Sequence, residues 1–213
     1  MTDYTVGRTP IGNTGKENRI DMNITAKDAL NVMRGWIGFS RAEQTHHSIV
    51  DIYNSYIPLP LDYTVTYQDA YCDATVSAVF ITLDAVSLIG GTECGVCRHI
   101  EIFKKSGIWK GRVRPLPGWI VTYDMDRNGV PDHIGLVETV DRNIIVVIEG
   151  NMAKEGIVGR RYIEWDDRRI CGYAAPAYSS EKDEIRDEHS EYKCASSSTS
   201  KRSRIRSPYV MNG

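Results

Sequence analysis

The feature of this sequence that most constrains its fold is a change of hydrophobic period near Pro115. Before this proline, apolar residues recur every three or four positions, which is typical of helices that bury one face. After it, runs rich in β-branched residues predict strands over 119–123, 134–140, 144–149, 158–165 and 170–174. Helices followed by strands with short connections indicate an α+β fold, with the N-terminal helices packed on a small antiparallel sheet or barrel.

The helical half of the domain predicts four helices. Thr25 to Asp28 and Ser40 to Glu43 each place an acid three residues after a hydroxyl, as in a capping box, so a helix should begin at each. The second helix should end before Pro58 and present His46 and His47 on a solvated face. The third is predicted over 72–88 and a short fourth over 98–105.

Composition divides the chain into three blocks. Residues 1–22 form a polar leader without the apolar core of a secretory signal peptide. Residues 23–178 have the composition of one folded domain. Residues 179–213 contain a serine-rich run between acidic and basic clusters, which predicts a low-complexity, disordered tail.

Charge and cysteine content narrow the function classes. A net charge of -2 argues against a nucleic-acid binder of the usual basic kind, and no apolar run approaches the length of a membrane span. The five cysteines show no disulfide framework. Cys94 and Cys97 form a CxxC without the second pair that structural zinc needs, so we interpret them as reduced thiols; a metal or redox pair is the alternative.

Four residues at three places in the sequence could form a catalytic group. Cys72 stands at the predicted start of the third helix, where the helix dipole favours the nucleophilic thiolate; a buried structural cysteine is the alternative. His133 opens a strand, and histidine is the usual base for a cysteine nucleophile. Glu149 and Asn151 end the next strand, where a hairpin would bring either beside His133 to orient its ring.

The order of these motifs resembles a known family. The set consists of Cys72, Pro117-Gly118, the run from Tyr123 to Gly135, Ile148-Glu-Gly-Asn151 and Gly172-Tyr-Ala-Ala-Pro176. It resembles the CHAP family (cysteine, histidine-dependent amidohydrolases/peptidases) of phage endolysins and bacterial autolysins, over about residues 25–178. The resemblance implies a papain-like fold with Cys72 as nucleophile, His133 as general base, Glu149 orienting His133, and Asn151 as an accessory polar group.

The same resemblance implies a substrate and a place of action. The expected enzyme is an N-acetylmuramoyl-L-alanine amidase or an endopeptidase that cuts an amide of peptidoglycan. We expect a monomer made in the cytoplasm, that of the host if the chain is phage-borne, which acts on the bacterial cell wall. Two alternatives stay open: a papain-like peptidase acting on protein, and a non-catalytic wall-binding module.

The loop before His133 has the oxygen spacing of a calcium loop. Asp124, Asp126, Asn128 and Asp132 occupy positions one, three, five and nine, but the twelfth position is Gly135 instead of a bidentate acid. A calcium site is one hypothesis, and a plain Asp/Asn/Gly turn between two strands is the alternative. The expected chemistry itself requires no cofactor.

Overall fold

The computed structural model describes residues 23–179, which contain four α-helices and six β-strands. The helices are α1 (Ala26–Gly35), α2 (His47–Ser55), α3 (Cys72–Thr82) and α4 (Val96–Lys105). The strands are β1 (Trp109–Gly111), β2 (Ile120–Tyr123), β3 (His133–Asp141), β4 (Ile144–Met152), β5 (Ile157–Glu164) and β6 (Ile170–Ala174). The predicted leader, and the predicted tail from residue 180 onward, lie outside the described residues.

The strands form one antiparallel sheet in the order β1-β6-β2-β3-β4-β5. Helices packed on this sheet confirm the α+β class that the change of period predicts. Because β2, β3 and β4 are neighbours, the start of β3 and the end of β4 lie side by side within the sheet. None of the helices in the range 23–179 has the length and apolar character needed to cross a bilayer.

Both faces of the sheet are buried. One face packs against the helices through side chains such as Ile134, Leu136 and Ile148. The other face gathers a second apolar cluster that includes Val121, Tyr123, Val137, Val147 and Ile163. Since successive strand residues point to opposite faces, the odd-numbered positions of β3 up to Val137, of β4 up to Glu149 and of β5 share the second face.

The second helix begins later than its capping motif predicts. The predicted hydrogen bond is present, because the backbone N of Glu43 donates to Ser40 Oγ at 3.2 Å. Yet Gln44 has φ 58, which a helix does not allow, and Ser40 forms a β-bridge with Ile157. The helix therefore begins only at His47.

The end of the third helix and the presence of an edge strand also differ from the prediction. The third helix ends at Thr82, because Asp84 has φ 50; a 3₁₀ turn over Val86–Ile89 then continues to the predicted glycine stop. The short edge strand β1 was not predicted, since three residues are too few for a period-2 pattern to be recognised.

Candidate functional site

The centre of the candidate site is a buried chain of charged and polar side chains across three strands. His133 Nε2 lies 2.9 Å from Glu149 Oε2, and Arg161 Nε lies 2.9 Å from both oxygens of the same carboxylate. The three residues occupy odd-numbered positions of β3, β4 and β5, so they share the second face of the sheet. Glu149 is completely buried, and the His133 side chain is 11% exposed.

The charge of Glu149 fixes the tautomer of His133. Burial raises the pKa of the Glu149 carboxyl, but hydrogen bonds and charges from His133 and Arg161 outweigh burial and hold its pKa below the ordinary value. Glu149 is therefore an anion at neutral pH and can only accept hydrogen bonds. Nε2 of His133 must then donate to it, which leaves Nδ1 of the neutral ring free to accept a proton.

Two glycines allow this arrangement to form. A Cβ at Gly135, on the same face as His133, would lie 2.6 Å from Glu149 Cγ. A Cβ at Gly150 would lie 2.1 Å from Oγ1 of Thr75 on α3. The first glycine makes room for the carboxylate beneath the histidine, and the second lets the helix that begins with Cys72 approach β4.

Cys72 is the first residue of α3 and lies beside the start of β3. Its Sγ is 4.0 Å from the carbonyl oxygen of Asp132, the residue before His133. Within residues 23–179, the thiol makes no hydrogen bond to the His133 ring. The structure therefore brings His133 and Glu149 into direct contact and places Cys72 beside Asp132, the residue before His133.

Burial determines the protonation state of Cys72. The side chain is only 5% exposed, and burial together with the charge of Asp73 raises its pKa to about 12. The backbone N–H groups of Cys72 and Asp73, at the helix N-terminus, lower the pKa of the thiol, as the helix position predicts. Their effect is smaller than that of burial. The resting residue is thus a neutral thiol, not the thiolate that its position at the helix end predicts.

Asn151 is held at the edge of the site by a residue that sequence reasoning missed. Arg41 donates from Nη2 to Asn151 Oδ1 at 3.0 Å and to the carbonyl of Asp69 at 2.8 Å. From Nη1 it donates to the carbonyls of Tyr67 and Gln68. Arg41 therefore ties the loop that leads into Cys72 to the strand end that carries Glu149.

A cleft of about 260 Å³ opens directly beside His133. Its walls are the residues Met125, Asp132, His133, Asn151, Met152, Ala153 and Arg161. Arg161 also passes over the Tyr123 ring at 5.8 Å. The cleft is therefore large enough for a short peptide segment and is reached from the side of the sheet that carries His133.

The predicted calcium loop brings three carboxylates together. Asp124, Asp126 and Asp132 each offer an oxygen, and these oxygens lie within 4.8 Å of one another. The backbone N–H groups of Asn128 and Gly129 donate to Asp124 and so fold the loop around it. Clustered carboxylate oxygens are the ligands that calcium prefers, so these three residues fit the ion. Asn128 instead turns its side chain to Asp126 and the backbone of Val130.

The CxxC pair lies away from this cleft. Cys94 and Cys97 are both free thiols, half-buried and exposed respectively. Cys97 Sγ lies 3.2 Å from the carbonyl oxygen of Pro131. Two residues after Cys97, α4 contributes His99, whose Nδ1 lies 2.6 Å from Oδ1 of Asp73, and both of these side chains are fully buried.

Comparison with known proteins gives distant structural similarity only. No protein-family model and no curated protein matches the chain. The crystal structure of Ly7917 is similar with a TM-score of 0.43 and 19% identity, over 71% of this chain and 62% of that chain. The crystal structure of Ly7917 with the hydrolyzing product of MDP gives a TM-score of 0.38 and 19% identity, over 71% and 63% of the two chains. The present chain thus spans less than two thirds of the length of Ly7917.

Proposed function

We propose that this chain is a cysteine-dependent hydrolase that cuts an amide bond of peptidoglycan. The observation that carries the proposal is the hydrogen bond of His133 to the buried Glu149 carboxylate, beside a cysteine at a helix N-terminus. This is the arrangement of a nucleophile, a base and an orienting group that acyl transfer requires. The ordered motifs that resemble the CHAP family support peptidoglycan as the substrate.

The mechanism starts from a neutral thiol. As Cys72 Sγ attacks the amide carbonyl carbon, His133 Nδ1 accepts the thiol proton, and Glu149 stabilises the resulting imidazolium. The imidazolium then protonates the leaving amine, the C–N bond breaks, and a thioester remains on Cys72. His133 next removes a proton from water, which attacks the thioester and releases the carboxylic acid and the thiol.

Cell walls with defined chemistry test the proposal. Incubation of purified Gram-positive walls with the protein should release new amino termini in step with loss of turbidity, without new reducing sugar ends. The sequence of the released termini would then separate amidase from endopeptidase activity. Release of reducing ends would contradict an amide-cleaving mechanism. Digestion of casein but not walls would favour the protein-peptidase alternative, and wall binding without any release would favour the binding module.

We also propose that Asp124, Asp126 and Asp132 hold a calcium ion. A bound calcium ion would offset two of the three negative charges and stabilise the loop whose Asp132 carbonyl contacts Cys72. Since the twelfth ligand position is a glycine, we expect a dissociation constant on the order of 10⁻⁴–10⁻³ M.

Calcium binding should be measurable as heat and as thermal stabilisation. At about 100 times the dissociation constant, the ion should raise the free energy of unfolding by about 2.7 kcal/mol, and Asp126→Ala, which removes the ligating oxygens, should abolish most of this effect. Asp141→Ala, at an exposed acid where β3 turns into β4, is the matched control and should keep it. Equal stabilisation of both variants, or no binding heat in the unmodified protein, would show that the loop is a plain turn.

A further inference from the structure

Arg161 has hydrogen-bonding capacity that its pair with Glu149 does not use. A guanidinium carries five N–H donors, and an arginine–carboxylate pair is commonly bidentate through two nitrogens. Here a single nitrogen, Nε of Arg161, contacts both oxygens of Glu149, each at 2.9 Å. Within the described part of the chain, neither Nη1 nor Nη2 of Arg161 has a hydrogen-bond partner. Four donors are therefore available on a side chain that lines the cleft.

The position of this guanidinium is fixed before any substrate arrives. Glu149 anchors Nε from the buried side, and the Tyr123 ring lies 5.8 Å from the guanidinium carbon. The side chain is 23% exposed, so it reaches the cleft without being freely solvated. A guanidinium held in this way retains little freedom to lose on binding, which favours a planar anion such as a carboxylate.

Arg161 and His133 line the same cleft, which limits where that carboxylate can be. Two hydrogen bonds of 2.9 Å connect Arg161 Nε through Glu149 to His133 Nε2. A carboxylate on the Nη groups would therefore belong to the peptide segment that occupies the cleft beside His133. Arg161 is the only cation among the described residues that line the cleft.

We infer that Arg161 selects substrates that carry a free carboxylate close to the scissile amide. This inference rests on the proposed function and names its substrate class: wall stem peptides in which the D-glutamyl α-carboxylate is free instead of amidated. A carboxylate and a carboxamide are nearly the same size, so the charge-assisted hydrogen bonds to Arg161 would make the difference between them.

Two synthetic muropeptides that differ only in this carboxylate or carboxamide test the inference. The unmodified protein should cleave the carboxylate form with a kcat/KM at least about ten times higher. Arg161→Gln should lower both rates, because Glu149 loses its partner, and should bring their ratio close to one. A residue that only positions Glu149 would change both rates equally and leave the ratio unchanged.

Arg160 provides the matched control. It precedes Arg161 on β5 but lies on the opposite face, where it pairs with Glu138 at 2.5 Å. Arg160→Gln removes the same charge and should keep the preference. If Arg161→Gln is inactive, calorimetric binding of both muropeptides to Cys72→Ala, with and without Arg161→Gln, should show the same loss of preference.

The outcomes separate this inference from the proposed function. Equal cleavage of the two muropeptides by the unmodified protein overturns the role of Arg161 while amide hydrolysis stands. Retention of the preference in Arg161→Gln also overturns it. Cleavage of neither muropeptide contradicts the proposed function, and the inference falls with it.

Discussion

Cys72→Ala is expected to reduce wall hydrolysis by roughly 10⁴–10⁶-fold, because no other group can form the thioester. Among the described residues, the thiol's hydrogen-bond contact is the one at 4.0 Å with the carbonyl oxygen of Asp132, and alanine keeps the Cβ that packs in the core, so the change should barely alter the fold. Turbidity clearing measures the loss of activity, and thermal unfolding of the same preparations checks the fold. An active Cys72→Ala protein would remove the proposed mechanism.

The other described cysteines are matched controls for this prediction. Cys94, Cys97 and Cys171 are also free thiols, but none of them begins a helix beside His133, as Cys72 does. Their single alanine variants should keep clearing rates within a few-fold of the unmodified protein. If the clearing rate fell as far in any of these three variants as in Cys72→Ala, the loss of activity could not be assigned to Cys72 as the nucleophile.

His99→Leu is expected to lower the free energy of unfolding by about 3–5 kcal/mol, since it leaves a buried acid without its partner. Asp73 and His99 are both fully buried and lie 2.6 Å apart, and the second oxygen of Asp73 has no hydrogen-bond partner among the described residues. Burial already raises the pKa of the Asp73 carboxyl, and removal of His99 would take away the largest interaction that offsets this desolvation. Urea unfolding measures the loss.

An exposed pair on the same helix is the control for this loss. Lys104 and Glu101 of α4 lie 2.7 Å apart with side chains 49% and 60% exposed, so Lys104→Ala should cost less than about 1 kcal/mol. The double change Asp73→Val/His99→Leu should recover most of the stability, because no buried charge then remains. If His99→Leu cost no more than Lys104→Ala, the buried pair would contribute nothing to stability.

The parts of the site that are predictable from sequence are those with a local signal. The position of Cys72 is predicted by a local helix start. The proximity of His133 and Glu149 is predicted by two β-branched runs joined by a short turn. Arg160 and Arg161 show the limit, because adjacent strand residues point to opposite faces. Only pairing with β4 shows that Arg161 reaches Glu149 and Arg160 reaches Glu138.

Loop residues show the same limit for contacts that are distant in sequence. His46 and His47 form one polar pair in the sequence, and both were predicted to be solvated. His46 is instead 1% exposed, and its two ring nitrogens contact the carbonyl oxygens of Ser40 and Tyr67. These contacts, like those of Arg41, depend on the path of the loop before Cys72. The spacing of apolar residues in the sequence does not predict that path.

The buried state of Cys72 also bears on how long the protein survives outside a reducing cell. Oxidation of cysteine proceeds through the thiolate and requires access to the oxidant. Burial raises the pKa of Cys72 to about 12, which disfavours the thiolate at pH 7, and the residue is only 5% exposed. Peroxide should therefore oxidise the exposed Cys97 before Cys72, so that the nucleophile stays usable between encounters with substrate.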